Sequence, residues 1–141
     1  MNDAVLREQL AYYRARAPEY DAAVPLGPPP GLHLLQQMGP FEQVLELACG
    51  TGIWTQALLS IGREITAGNA APEMLEINAR KVASARVRYQ HADLFTWQPD
   101  RQYDLVFCAF WLSHVPPDTL DAFLDTVRRA VRPGGYLVIV D

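Results

Sequence analysis

The chain has 141 residues, 12 basic and 16 acidic side chains, and a formal net charge of −4. It is 50% hydrophobic and 20% charged, which suits one compact domain with its own core and argues against global disorder. The acidic balance argues against broad contact with a nucleic-acid backbone, and no apolar run reaches the ~18 residues of a membrane span. The opening MNDAVLREQL lacks the apolar stretch of a signal peptide. Cys49 and Cys108 give neither a disulfide framework nor a metal-ligand pattern. The expected compartment is the cytoplasm, with no metal, no nucleic acid and no membrane among the partners.

In chain order, Asp3–Ala17 reads as an amphipathic helix with Leu6, Leu10, Tyr13 and Ala17 at helical spacing. Pro18 interrupts it. PLGPPPG (Pro25–Gly31) can sustain neither helix nor central strand and leads to a short helix around Leu32–Met38. From there the pattern changes, giving an N-terminal helical cap over 1–40 and a ligand-binding core over 41–141. Gln43–Ala48 (QVLELA) is a short apolar strand running into a glycine turn, CGTG. Ile53–Ile61 is a helix stopped by Gly62. Glu64–Gly68 is a second strand, Pro72 opens a helix continuing over Glu73–Ala83, and Ala85–Gln90 is a third strand. Tyr103–Ala109 (YDLVFCA) is a fourth. Pro117–Val131 is a helix with Leu120, Phe123, Leu124, Val127 and Val131 facing inward, ended by Pro133-Gly134-Gly135, and Tyr136–Val140 (YLVIV) is the fifth strand.

Strands alternating with helices imply an α/β fold, a doubly wound parallel sheet covered on both faces. Ligands bind such sheets at the carboxyl ends of the strands. The loops that matter therefore follow Ala48, Gly68, Gln90 and Ala109. In the first, Gly50 and Gly52 let the backbone approach a ligand and expose amide groups at a helix start. Two phosphate readings weaken on inspection: Thr55 stands where a dinucleotide fingerprint needs its third glycine, and no GK[ST] ending exists. What remains is Glu46 inside the strand, followed by a small residue and two glycines.

VLELACGTG resembles the first motif of the class I S-adenosylmethionine-dependent methyltransferases. Later segments agree in order: AAPEML (Ala70–Leu75) resembles the segment after that family's second strand, and HADLF (His91–Phe95) its adenine-contacting segment. YDLVFCAFWLSHVPP (Tyr103–Pro117) resembles the fourth strand and its loop, VRPGGYLVIVD (Val131–Asp141) the RPGG turn and fifth strand, and YYRARAPEYD (Tyr12–Asp21) the N-terminal helix of small-molecule members. The likeness covers nearly the whole chain.

The resemblance implies a Rossmann-like sheet of order 3-2-1-4-5 and S-adenosylmethionine as cofactor. It implies that Gly50 and Gly52 pass the cofactor's methionine part, with Ala48 where many members have glycine. Glu46 would meet its amino group. Asp93 would accept from the adenine amino group, the Leu94 amide would reach a ring nitrogen, and Ala70 and Met74 would pack on the adenine. Phe110 would lie beside the cofactor, and Tyr12 or Arg16 could close over its carboxylate. One position departs from the family: the acidic residue that usually takes both ribose hydroxyls is Asn69, which has one acceptor oxygen and an amide that only donates. This predicts weaker, not abolished, cofactor binding.

The implied activity is methyl transfer to an O, N or C atom of a small-molecule acceptor, dominated by proximity and orientation. Phe110 and Trp111 offer aromatic faces to a sulfonium, and His114 in the same segment is the candidate general base. His33 and His91 receive no role. Bland alternatives stand beside these: Glu46 as a strand carboxylate paired with arginine, Asp93 as a turn or capping residue, Met74 as core, Tyr12 as a packing residue, and His114 as a residue that hydrogen-bonds loop backbone or shapes the pocket. The family generally continues past its fifth strand into a C-terminal antiparallel hairpin, whereas this sequence ends at Asp141. That raises a second reading, a truncated cofactor-binding module without independent turnover. It also leaves the fifth strand as an open edge prone to self-association. A nicotinamide-dependent oxidoreductase is the third reading, disfavoured by Thr55 and Asn69.

Overall fold

The structure is a computed structural model that describes residues 29, 31–109 and 115–140. In order come α1 (Leu32–Met38), β1 (Phe41–Leu47), α2 (Ile53–Leu58), β2 (Gly62–Asn69), α3 (Pro72–Val82), β3 (Val87–His91), β4 (Tyr103–Ala109), α4 (Pro117–Ala130) and β5 (Val131–Val140). The strands form one parallel sheet of order β3-β2-β1-β4-β5, the doubly wound arrangement that the alternating pattern predicts. β1 sits at its centre, with Val44, Leu45 and Leu47 all buried, as expected of a parallel strand covered on both sides.

The side chains of β1 divide between two cores. On one face Phe41 and Val44 join Leu35 of α1, Trp54 and Leu58 of α2, Ile65 of β2 and Leu105 and Phe107 of β4. On the other, Leu45 and Leu47 join Val106 and Cys108 of β4, Leu94 and Trp97, and Phe123, Val127 and Ala130 of α4. The longer helices carry their own stop and start signals. Pro stands in the first turn of α3 and α4, with Glu73 and Asp118 beside it. Arg80 and Lys81 close α3, and Arg128 and Arg129 close α4, each charge opposing the helix dipole.

The structure departs from the sequence reading at several element ends. α2 stops at Leu58, and residues 59–61 tighten into a turn in which Ser60 and Ile61 donate to Ala57 and Leu58. The larger difference lies after α4. The Arg132–Gly135 segment does not separate helix from strand; β5 begins at Val131, directly after Ala130. Tyr103 pairs with Val131 but Leu105 already pairs with Tyr136, so the intervening β5 residues bulge out beside Asp104. Pro133 has no N–H for the ladder, and Gly134, at φ 82°, takes the reversal that the bulge requires. β5 forms one edge of the sheet, and Tyr136, Leu137 and Ile139 are exposed along it. Among the described residues no helix is long and apolar enough to cross a membrane.

Candidate functional site

The candidate residues collect where β1, β2 and β3 end, on three neighbouring strands roughly 4.8 Å apart. β1 delivers Glu46 one residue before its end, with the side chain in the sheet and only 2% exposed. The chain then reverses through Ala48 (φ 53°), Gly50 (φ 56°) and Gly52 (φ 109°). Gly52 is there for contact as well as conformation: a Cβ on it would lie 3.1 Å from Asn78 and from Val82 of α3. A Cβ on Gly50 would meet only Met74 Sδ, at 3.9 Å. The turn is thus packed against α3 on one side and open to a close approach above Gly50.

Beneath the turn runs a buried polar chain. Tyr89 Oη of β3 donates to Asn78 Oδ1 at 2.6 Å. Asn78 Nδ2 donates to Thr55 Oγ1 at 2.9 Å and to the Gly50 carbonyl at 3.2 Å. Thr55 Oγ1 in turn donates to Glu46 Oε1. Asn78 and Thr55 are fully buried. Glu46 therefore accepts from a threonine, not from an arginine. Burial raises its carboxyl from an ordinary 4.5 to about 8, against the lowering effect of the Thr55 hydroxyl. Thr55 is its one hydrogen-bond donor among the described residues.

The ends of β2 and β3 are joined by bonds that prolong the sheet into its loops. Cys49 N–H donates to Gly68 O at 3.0 Å, and Ala92 N–H to Asn69 O at 3.1 Å. His91 Nε2 lies 3.0 Å from the Ala70 carbonyl, so its ε tautomer ties the two loops together. Asn69 Oδ1 accepts from Ala71 N–H at 2.9 Å. Its Nδ2 has no hydrogen-bond partner among the described residues. Asp93 shapes a turn, with Oδ1 accepting from Phe95 N–H at 3.0 Å and its carbonyl from Trp97 N–H at 2.8 Å. Its other carboxylate oxygen remains on an exposed residue. The Leu94 side chain is buried while its N–H bonds no described residue. Met74 is buried against Ala71 and Ile77, beside the turn. Ala70, half-buried, follows Asn69.

These positions suit an elongated ligand with a cationic end at β1 and hydrogen-bonding groups at β2 and β3. A glycine cradle, together with a carboxylate, an amide N–H and a carboxylate oxygen that lack further partners among the described residues, fits S-adenosylmethionine in kind. Tyr12, Arg16, Phe110, Trp111 and His114 lie outside the described residues. Among the described residues no group of three or more His, Cys, Asp or Glu could hold a metal.

Sequence reasoning passed over Asn78, Tyr89 and the role of Thr55. A signal existed: Asn78 falls four residues after Met74, on the face of α3 that turns inward, where a polar side chain needs a partner. Thr55 registered only as a missing glycine.

A family model described as a methyltransferase domain matches residues 44–135. Demethylmenaquinone methyltransferase of Clavibacter sepedonicus is 37% identical over 103 residues, covering 71% of this chain and 41% of that protein. Malonyl-[acyl-carrier protein] O-methyltransferase of Serratia marcescens is 33% identical over 145 residues, covering 97% of this chain and 54% of that protein. Among solved structures, DhpI in its complex with SAH superposes with a TM-score of 0.91 at 41% identity, covering 99% of this chain and 70% of DhpI. The chain spans about half the length of the curated relatives it matches.

Proposed function

The chain belongs to the class I S-adenosylmethionine-dependent methyltransferases, and from that premise we propose that it serves methyl transfer to a small-molecule acceptor. When bound, S-adenosylmethionine supplies an electrophilic methyl group on a sulfonium. The observation that carries the reading is the meeting of Glu46, the glycine turn, Asn69 and Asp93–Leu94 at three adjacent strand ends. In it Glu46 takes the amino group of the cofactor's methionine part, and Gly50 and Gly52 let the main chain pass close beside it. Asn69 meets the ribose through Nδ2, the donor its own turn leaves over. Asp93 accepts from the adenine amino group, the Leu94 N–H donates to a ring nitrogen, and Ala70 and Met74 lie against the ring.

The segment between β4 and α4 completes the reading. In this reading Phe110 would flank the cofactor, and His114 would take the acceptor's proton. Tyr12 or Arg16 closes over the methionine carboxylate. The acceptor screen starts with oxygen nucleophiles, because the Serratia relative is named an O-methyltransferase.

Titration calorimetry with S-adenosylmethionine and with NAD tests the cofactor, and transfer of a labelled methyl group to a panel of small acceptors tests the activity. Binding of S-adenosylmethionine but not NAD is expected, weakened at least tenfold in Glu46→Gln. Turnover with an acceptor, lost in His114→Gln, supports the base; full turnover in that variant removes it. Binding without turnover on any acceptor favours the cofactor-binding module, and tight NAD binding overturns the reading.

A further inference from the structure

We propose that Asn78 is a positioning residue for cofactor binding, holding both the glycine turn and, through Thr55, the Glu46 carboxylate in their working geometry. The inference rests on the reading that Glu46 meets the cofactor's amino group.

The orientation of the Asn78 amide follows from its neighbours. The Gly50 carbonyl can only accept, so the amide presents Nδ2 to it, at 3.2 Å. The opposite orientation would set two acceptor oxygens against each other. With Nδ2 committed to Gly50 and Thr55, Oδ1 faces Tyr89, whose hydroxyl donates to it at 2.6 Å. Because the Thr55 oxygen accepts from Asn78, its own hydrogen is left for Glu46. Each hydrogen bond therefore points the same way, from Tyr89 through Asn78 and Thr55 to the carboxylate. Such a run strengthens each member and favours negative charge at its end.

The same amide sets the turn. Binding the Gly50 carbonyl on the α3 side directs the Thr51 N–H of that planar peptide the other way. The bare Gly52 lets Asn78 approach this closely. One side chain thus links α3, the turn and β3 to the carboxylate at the end of β1.

Among the described residues, the titratable groups facing Glu46 are the Cys49 thiol of the turn and the Tyr89 phenol of β3. Burial lifts Cys49 well above its ordinary range and Tyr89 to about 12, so both are neutral near neutral pH. No other titratable group among the described residues perturbs Glu46. The pH dependence of cofactor affinity therefore reports on Glu46 and on its hydrogen-bond supply. Affinity falls as pH drops below the midpoint at which Glu46 takes a proton.

The test measures S-adenosylmethionine affinity by calorimetry from pH 6 to 9 in the parent, Asn78→Ala, Thr55→Val, Thr55→Ser, Tyr89→Phe and Glu46→Gln, with thermal melts alongside. The expected losses at pH 7 are about tenfold for Asn78→Ala and for Thr55→Val, and about threefold for Tyr89→Phe. The midpoint rises by about one pH unit in Thr55→Val and by about half a unit in Asn78→Ala, whereas Thr55→Ser restores the parent profile. A purely structural amide would lower the melting temperature and leave the midpoint in place, and that result in the folded variants overturns the proposal. If Asn78→Ala does not fold, Thr55→Val and Tyr89→Phe carry the same decision. If Glu46→Gln keeps parental affinity at every pH, the reading of Glu46 falls and takes this inference with it. If only Glu46→Gln loses affinity, the inference alone falls.

Discussion

Glu46 and Asp104 lie on neighbouring strands, at opposite ends of the sheet, and both are largely removed from water. Asp104, at the start of β4, accepts the Glu42 N–H at 2.7 Å and the Gln43 N–H at 2.6 Å, with Arg132 3.9 Å away. Glu46, near the end of β1, accepts one hydroxyl and has no cation beside it among the described residues. The backbones differ in the same sense. At the entering end Gly62 and Gly135 are packed closely: a Cβ on Gly62 would lie 2.6 Å from Val44 Cγ2, and one on Gly135 3.0 Å from the Asp104 carbonyl, while Gly134 takes the one left-handed turn of the bulge. The exit end gathers three left-handed residues, Ala48, Gly50 and Gly52, in one turn. A carboxylate with a full set of donors clasps the fold together. One with a deficit of donors costs stability, so the two ends of the same sheet are held in different ways.

The largest expected effect separates the two carboxylates by pH. Glu46 has a folded-state pKa of about 8 against an ordinary 4.5. A raised value means that its contribution to stability is complete below about pH 4.5 and is lost as pH rises towards 8. At about 1.4 kcal/mol per pKa unit, the loss reaches roughly 5 kcal/mol at pH 8 and above. Urea unfolding of ligand-free Glu46→Gln at pH 5 and pH 8.5 should therefore show a variant increasingly more stable than the parent as pH rises. Equal differences at both pH values would mean that Glu46 is as well supplied as Asp104. The next effect has the opposite sign. Asp104→Ala strands the Glu42 and Gln43 amides and should cost about 3 kcal/mol in unfolding experiments, with cofactor affinity of the folded fraction unchanged. A drop in affinity beyond twofold would tie the entering end to the site and blur the comparison.

Most of the sheet was legible because its signals are local. The alternation of strands and helices, Pro72 and Pro117 at helix starts and the glycine turn after QVLELA each follow from a few adjacent residues. The motif order then placed Glu46, Asn69 and Asp93 at strand ends. The bulge in β5 was not legible, because it depends on which β4 residue each β5 residue meets, and Pro133-Gly134-Gly135 reads equally well as a helix stop. The polar chain was legible only in the inward position of Asn78 on α3, and its partners were not, for a similar reason. Glu46, Thr55, Asn78 and Tyr89 come from four elements and meet only after the sheet has formed. For Asp93 the turn role is the one on view, with Oδ1 accepting from Phe95 N–H.

Asn69 sharpens the account of the exit end. Its Oδ1 already holds the Ala71 N–H, so the group it turns outward is a donor. An aspartate there keeps that turn with one oxygen and offers the second, charged, to a ribose hydroxyl. The change from a neutral to a charge-assisted bond is about 1.4 kcal/mol. Asn69→Asp should tighten S-adenosylmethionine binding about tenfold by calorimetry. Unchanged or weaker binding would remove Asn69 from the ribose and leave it as a turn residue, closer in kind to Asp104 than to Glu46.

The smallest effect concerns Ala48, whose φ of 53° puts a side chain where glycine is at ease. That conformation costs about 1 kcal/mol for an L residue, and glycine would relieve it. Two terms oppose the gain. Glycine loses more freedom on folding, by about 0.5 kcal/mol or more, and the Ala48 methyl packs partly against the core that holds Leu45, Leu94 and Phe123. Ala48→Gly should therefore move the melting temperature by no more than about 2 °C in either direction, with cofactor affinity unchanged because the main chain keeps its path. A rise well above that would show that the turn stores strain in its alanine. A clear fall would show that the methyl's packing outweighs its conformation.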